Sequence, residues 1–164
     1  AFILAIVLIY LILAAQFDSF KDPLIIMLTV PLAIAGALVF MYFGGITMNI
    51  FSQIGIIMLI GLVAKNGILI VEFANLKQET GEDKMTAIKD AALQRLRPIL
   101  MTSASTILGL IPLAFASGEG CNQRIAMGTA VVGGMLVSTL LTMYIVPAIY
   151  SYISTNRSNK LKQE

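Results

Sequence analysis

The chain has 164 residues, of which 58% are hydrophobic and 12% charged, with a formal net charge of +2 and a mean hydropathy of +0.89. An average soluble domain carries roughly 25% charged residues, so too few polar side chains are present to coat a water-facing surface, and the apolar ones must meet lipid or other membrane helices. Disordered, collagen-like and disulfide-framework classes fall as well, and with no histidine and a single cysteine there is no Ser-His or Cys-His nucleophile pair and no zinc-binding spacing.

A helix rising about 1.5 Å per residue needs ~20 residues to cross ~30 Å of hydrocarbon, so uncharged runs locate the membrane segments. Ala1 to Phe17 carries no charge and predicts a short first helix over about 1–17. Lacking an initiator methionine and a basic start, it reads as a helix cut from a longer polypeptide rather than as a signal-peptide core. Pro23 to Ala64 is uncharged over 42 residues. Broken at Gly44-Gly45, it predicts a second helix over about 23–43, with Pro23 in its first turn, and a third over about 51–75.

The third helix holds the residue that most asks for a function, Lys65, within GLVAKNGILIVEFA. An ammonium at the bilayer centre costs roughly 2.5–3.5 kcal/mol even on the lenient insertion scale, and it lies too deep to snorkel easily. A nearby carboxylate would keep it charged, so a proton moving on or off that carboxylate would be felt at once. A static ion pair is the alternative, weakened because Glu72 lies two turns away and Asp18 and Asp22 are placed at the surface; a deep acidic partner must come from elsewhere.

Between this helix and the next, residues 77–97 hold nine of the twenty charged residues. There Met85, Ile88, Ala92 and Leu96 recur as on the apolar face of a short amphipathic helix lying along the membrane surface, with Asp83 as a candidate cap. A solvated connector is preferred to a binding role. Pro98 to Gly118 then predicts a fourth span over about 98–117, Pro98 marking its start. Arg95 and Thr102 are seven apart and share a face, so together they can line a hydrated path. Ser103, Ser105 and Thr106 are expected to bond back to their own helix, and Arg97 to anchor at the interface. Ile125 to Asn156 is uncharged and predicts a fifth span over about 126–153. Pro31, Pro112 and Pro147 sit inside or near the ends of spans, where a kink is tolerated.

The expected fold is therefore all-α, a polytopic transmembrane bundle (1–155) of five helices plus one short cytoplasmic amphipathic helix, followed by a cytoplasmic basic tail (156–164). Lys21, Lys77, Lys84, Lys89, Arg95, Arg97, Arg157, Lys160 and Lys162 fall on one side of this arrangement and Arg124 on the other, so the nine face the cytoplasm. Phe17, Phe20, Phe73, Tyr150 and Tyr152 cluster near cytoplasmic ends, and Tyr42 and Phe43 near an external one. Ala33, Ala37, Gly55, Gly61, Gly128, Gly133 and Gly134 are expected to let helix backbones approach closely. The Asn156-Arg157-Ser158 sequon lies on the cytoplasmic side, where glycosylation does not occur, and Cys121 is expected to be an unmodified surface thiol.

AKNGILIVEFA, then RLRPILMTSASTILGLIPL, then GTAVVGGMLVSTLLTMYIVPAIY closely resemble the C-terminal membrane half of resistance-nodulation-division efflux pumps, nearest the AcrB-type multidrug exporters. The likeness extends through AAQFDSFKDPLIIMLTVPLAIAGAL and so covers essentially the whole chain. It implies a proton-driven antiporter in the bacterial inner membrane, working as a homotrimer with a periplasmic adaptor protein and an outer-membrane channel, and exporting drugs or other amphiphilic compounds. It also implies proton-relay roles for Lys65, Arg95 and Thr102, with Asn66 helping by hydrogen bonding. The family's paired intramembrane aspartates belong to the N-terminal half and have no counterpart here, so these residues alone are not expected to transport.

No cofactor, metal or nucleic-acid partner is expected. A metal exporter of the same superfamily is the nearest alternative, but the nine methionines are scattered over the chain as gap-fillers are. A non-transporting membrane assembly subunit is another. An enzyme would need Lys65 to activate Ser103 or Ser105, and no oxyanion-hole or nucleophile-elbow motif accompanies them.

Overall fold

The computed structural model describes residues 1–17 and 20–153, and among them every regular element is helical. In chain order these are α1 (Phe2–Phe17), α2 (Lys21–Met27), α3 (Thr29–Phe43), α4 (Ile50–Glu79), α5 (Lys84–Ala114) and α6 (Cys121–Ile153). Asp18, the sequon and the basic residues Arg157, Lys160 and Lys162 lie outside the described residues.

Four segments are long and apolar enough to cross a membrane: α2 with α3 over Lys21–Phe43, then α4, α5 and α6. The chain is a multi-pass membrane protein. Helix α1 is apolar throughout but has 16 residues, a rise of about 24 Å; only Leu13 and Phe17 of it are buried.

The predicted second helix is divided. Pro31 has no N–H to offer the Met27 carbonyl, and the Thr29 hydroxyl donates to the Ile26 carbonyl at 2.6 Å, so the ladder is interrupted at Leu28 and resumes as α3. Helix α4 starts where a reciprocal cap forms. Ser52 N–H donates to Asn49 Oδ1 at 2.9 Å and Asn49 N–H to Ser52 Oγ at 2.8 Å, satisfying two of the donors that a helix start leaves open. It ends at a turn where Gly81 takes φ +94°, a left-handed conformation that only glycine adopts cheaply.

Pro98 does not begin a helix. Helix α5 runs unbroken from Lys84 through Pro98 and Pro112 to Ala114, so the charged connector and the predicted fourth span form one rod. The helix continues because its amphipathic end is pinned to the core: Ala87, Ile88 and Ala91 are buried, whereas Met85 and Leu96, expected on the apolar face, are exposed. Asp83 stands at the N-cap position, but its side chain makes no capping bond.

Helix α6 begins at Cys121, five residues before its expected start, and packs against α3, α4 and α5. Gly128 faces the end of α5, where a β-carbon would lie 2.7 Å from the Ala114 backbone nitrogen; Gly133 receives Phe40, Gly134 receives Leu59, and Gly55 of α4 meets Met127. Small residues thus set the interhelical spacing, as expected in lipid. Gly61 is the exception, with nothing near it among the described residues. Two apolar clusters result. One centres on Ile25, Ile26, Ile70, Ile99 and Tyr150 toward the end bearing the α4–α5 turn; the other centres on Ala33, Leu59, Ile60 and Val131 toward the opposite end.

Candidate functional site

Helices α4 and α5 are antiparallel, as two contacts show. The Asn66 side-chain amide donates to Ser103 Oγ at 3.5 Å, and the Arg95 guanidinium lies 4.9 Å from the Phe73 ring centroid. Seven residues forward on α4 therefore match eight backward on α5. Successive helical residues are rotated by 100°, and the two helices run in opposite senses. The residue before Asn66 and the residue before Ser103 consequently project to the same side of the pair. Those residues are Lys65 and Thr102.

Both are exposed. Lys65 lies on the outward face of α4 with Gly61 one turn before it and Glu72 two turns after, and Gly61 and Glu72 are exposed as well. No hydrogen bond or ion pair to Lys65 is found among the described residues. The lysine therefore stands midway along a 30-residue helix on a surface that the remaining helices of this chain leave uncovered. Thr102 spends its hydroxyl on its own helix, donating to the Pro98 and Ile99 carbonyls, both at 3.1 Å. Arg95, two turns toward the α4–α5 turn, is half-buried; its Nε is buried and has no hydrogen-bond partner, so Phe73 is its principal support.

Inward-facing neighbours complete the picture. Asn66 and Ser103 are each 3% exposed. Ser103 does not turn back on its helix as expected: its Oγ accepts from Asn66 of α4 and also from the Thr139 hydroxyl of α6 at 3.2 Å. Thr106 does bond back, to the Thr102 carbonyl at 2.8 Å. Of the four residues singled out from the sequence, Lys65 and Thr102 thus share one outer side, Asn66 faces the helix interface, and Arg95 lies about 10 Å along the axis from Thr102.

A second polar cluster had no signal in the sequence reading. Asp22, placed at the surface by its charge, is 2% exposed, because Asn75 Nδ2 donates to its carboxylate at 2.9 Å. Tyr150, read as an interfacial aromatic, is fully buried. Its hydroxyl donates to Asn75 Oδ1 at 2.6 Å and accepts from the Gln78 amide. This chain of contacts joins α2, α4 and α6.

Among the described residues the chain is an all-α membrane bundle with a lysine, Lys65, exposed midway along an apolar helix. Comparison with known proteins makes the class definite. The chain belongs to the AcrB/AcrD/AcrF family, whose model matches residues 1–154; these are efflux transporters of the resistance-nodulation-division type. It is 46% identical to an uncharacterized transporter of Haemophilus influenzae, over 94% of this chain and 16% of that protein. It is 44% identical to the multidrug resistance protein MdtF of Escherichia coli, over 90% of this chain and 14% of MdtF. It is 42% identical to the toluene efflux pump membrane transporter TtgB of Pseudomonas putida, over 94% of this chain and 15% of TtgB. The chain thus spans about one-seventh of the length of these relatives.

Proposed function

We propose that this chain supplies the cationic side of an intramembrane proton relay in a proton-driven antiporter that exports drugs, solvents or other amphiphilic compounds. The observation that carries this reading is that Lys65, midway along an apolar helix, and Thr102 are both exposed and project to the same side of the α4–α5 pair. A cation there costs roughly 2.5–3.5 kcal/mol unless an anion meets it, and no described carboxylate does. The anion is assigned to paired aspartates on a helix of the N-terminal half of the same pump. The relatives named for multidrug resistance and toluene efflux support the substrate class.

In this mechanism the ionised carboxylates hold Lys65 and draw their helix against α4 and α5. Proton entry neutralises them and releases the ammonium, which then turns toward the Thr102 hydroxyl, with Arg95 at the mouth of the path. The helix packing shifts with the change of partner, and that shift is passed to substrate-binding domains outside the membrane. The electrical part of the proton-motive force supplies about 2.3 kcal/mol per charge per 100 mV, enough for one or a few protons to drive a modest conformational step. The pump sits in the bacterial inner membrane with the basic end of the bundle in the cytoplasm. It works as a homotrimer with a periplasmic adaptor and an outer-membrane channel. The 164 residues do not transport by themselves, because the relay's acidic half is elsewhere.

The test is Lys65→Met in the full-length pump. Drug resistance and dye efflux are expected to vanish while membrane expression and trimer assembly remain. Wild-type resistance in that variant would overturn the relay assignment.

A further inference from the structure

We infer that Ser103 and Thr139 are positioning residues for the relay: their paired hydroxyls fix the rotation of α5 against α4, so that Lys65 and Thr102 are presented on the same side. The inference rests on the proton-coupling reading above and assigns roles to two residues that it does not use.

Asn66, Ser103 and Thr139 are 3%, 3% and 5% exposed, and they form a polar bridge across α4, α5 and α6 at the level of Lys65. On the far side the two hydroxyls meet an apolar groove of about 360 Å³ between α5 and α6, walled by Leu100, Leu108, Leu136 and Leu140, which offers them no polar alternative. In hydrocarbon a polar group that loses its partner finds no water to replace it, so such a bridge resists rotation more than apolar packing does. A slip of α5 by one residue turns every side chain by 100°, which would carry Thr102 off the Lys65 side. The bridge is anchored at its α6 end because Gly134, little more than one turn before Thr139, is filled by Leu59 of α4. Ser103 takes both donors and is the central pin.

The experiment uses the full-length pump, with the variants Ser103→Ala, Thr139→Val, Thr139→Ser and Lys65→Met normalised to the amount of trimer in the membrane. Thr139→Val keeps shape and removes the hydroxyl; Thr139→Ser keeps the hydroxyl. Removing a hydroxyl lets Thr102 turn away from the Lys65 side, so the released ammonium loses its alternative partner and stays with its carboxylates, which then take up their proton only at lower pH. Ser103→Ala and Thr139→Val are therefore expected to move the pH profile of dye efflux downward by about half a unit. They are also expected to lower Vmax roughly threefold with KM unchanged, since substrate binds elsewhere, and Thr139→Ser is expected to restore both. Two results overturn the inference: a wild-type profile in Ser103→Ala and Thr139→Val, or a loss that only tracks the amount of assembled protein with the profile unmoved. Full transport by Lys65→Met would instead overturn the relay reading itself, whatever the hydroxyl variants do.

Discussion

Tyr150 of α6 donates its phenolic proton to the side-chain carbonyl of Asn75 on α4 at 2.6 Å, across 75 residues of sequence. The Tyr150 hydroxyl oxygen accepts from the Gln78 amide, and Asn75 in turn donates to Asp22. One hydroxyl thus closes a buried polar network that ties three helices at the end bearing the α4–α5 turn. Tyr150→Phe keeps the ring but removes the donor to Asn75 and one acceptor of Gln78. A buried polar group left without its partner costs about 1–3 kcal/mol, so the full-length variant is expected to melt earlier in detergent than wild type. An unchanged melting temperature would show that the network contributes nothing to stability.

Gly128 allows α6 to touch the end of α5. Its nearest neighbours are the backbone atoms of Leu113 and Ala114, which cannot swing aside as a side chain would. Gly128→Ala is expected to cost about 1–3 kcal/mol through overpacking, and Gly128→Val more. The check is the fraction of full-length protein that stays folded and soluble in detergent after mild heating, which should fall in the order Gly, Ala, Val.

Arg95 sits 4.9 Å from the Phe73 ring centroid and has no partner for its Nε. Lysine keeps the charge but loses the planar surface that stacks on the ring. Arg95→Lys and Phe73→Leu are each expected to cost about 0.5–2 kcal/mol, and the double variant less than their sum, because both remove the same contact. Additive losses in a double-mutant cycle would rule the stacking out as a source of stability.

Pro98 interrupts the hydrogen-bond ladder of α5, leaving the Gln94 carbonyl without its helical donor. Proline in a helix interior is about 3 kcal/mol less favourable than alanine. Pro98 is exposed, so Pro98→Ala removes little packing and is expected to stabilise the full-length protein. A higher melting temperature is the predicted reading; a lower one would mean that the helix needs the imino acid where it stands.

Much of this architecture was legible in the sequence, because an uncharged run of sufficient length has few stable alternatives to a membrane helix. The break at Gly44-Gly45 was visible from its glycines, whereas the third helix, expected to stop at about residue 75, runs on to Glu79. Pro98 misled because a proline perturbs only its own turn, while Ala87, Ile88 and Ala91 hold the preceding turns on the core. Neighbours in a helix point 100° apart, and nothing in RLRPILMTSAS says whether Thr102 or Ser103 faces inward. Only the partners on α4 and α6 decide it, in favour of Ser103. Asp22 and Tyr150 were placed at the surface and the interface, and wrongly, because their burial depends on Asn75, which is 53 and 75 residues away from them respectively. Lys65 was identifiable because a charge within a long apolar run stands out without any tertiary context.

The continuity of α5 has a mechanical consequence. At 31 residues the helix is about 46 Å long, some 16 Å more than the hydrocarbon is thick. Pivoting such a lever by about 10° around its midpoint swings each tip through roughly 4 Å. A sub-ångström adjustment where Thr102 sits therefore becomes a larger excursion at the two extremities.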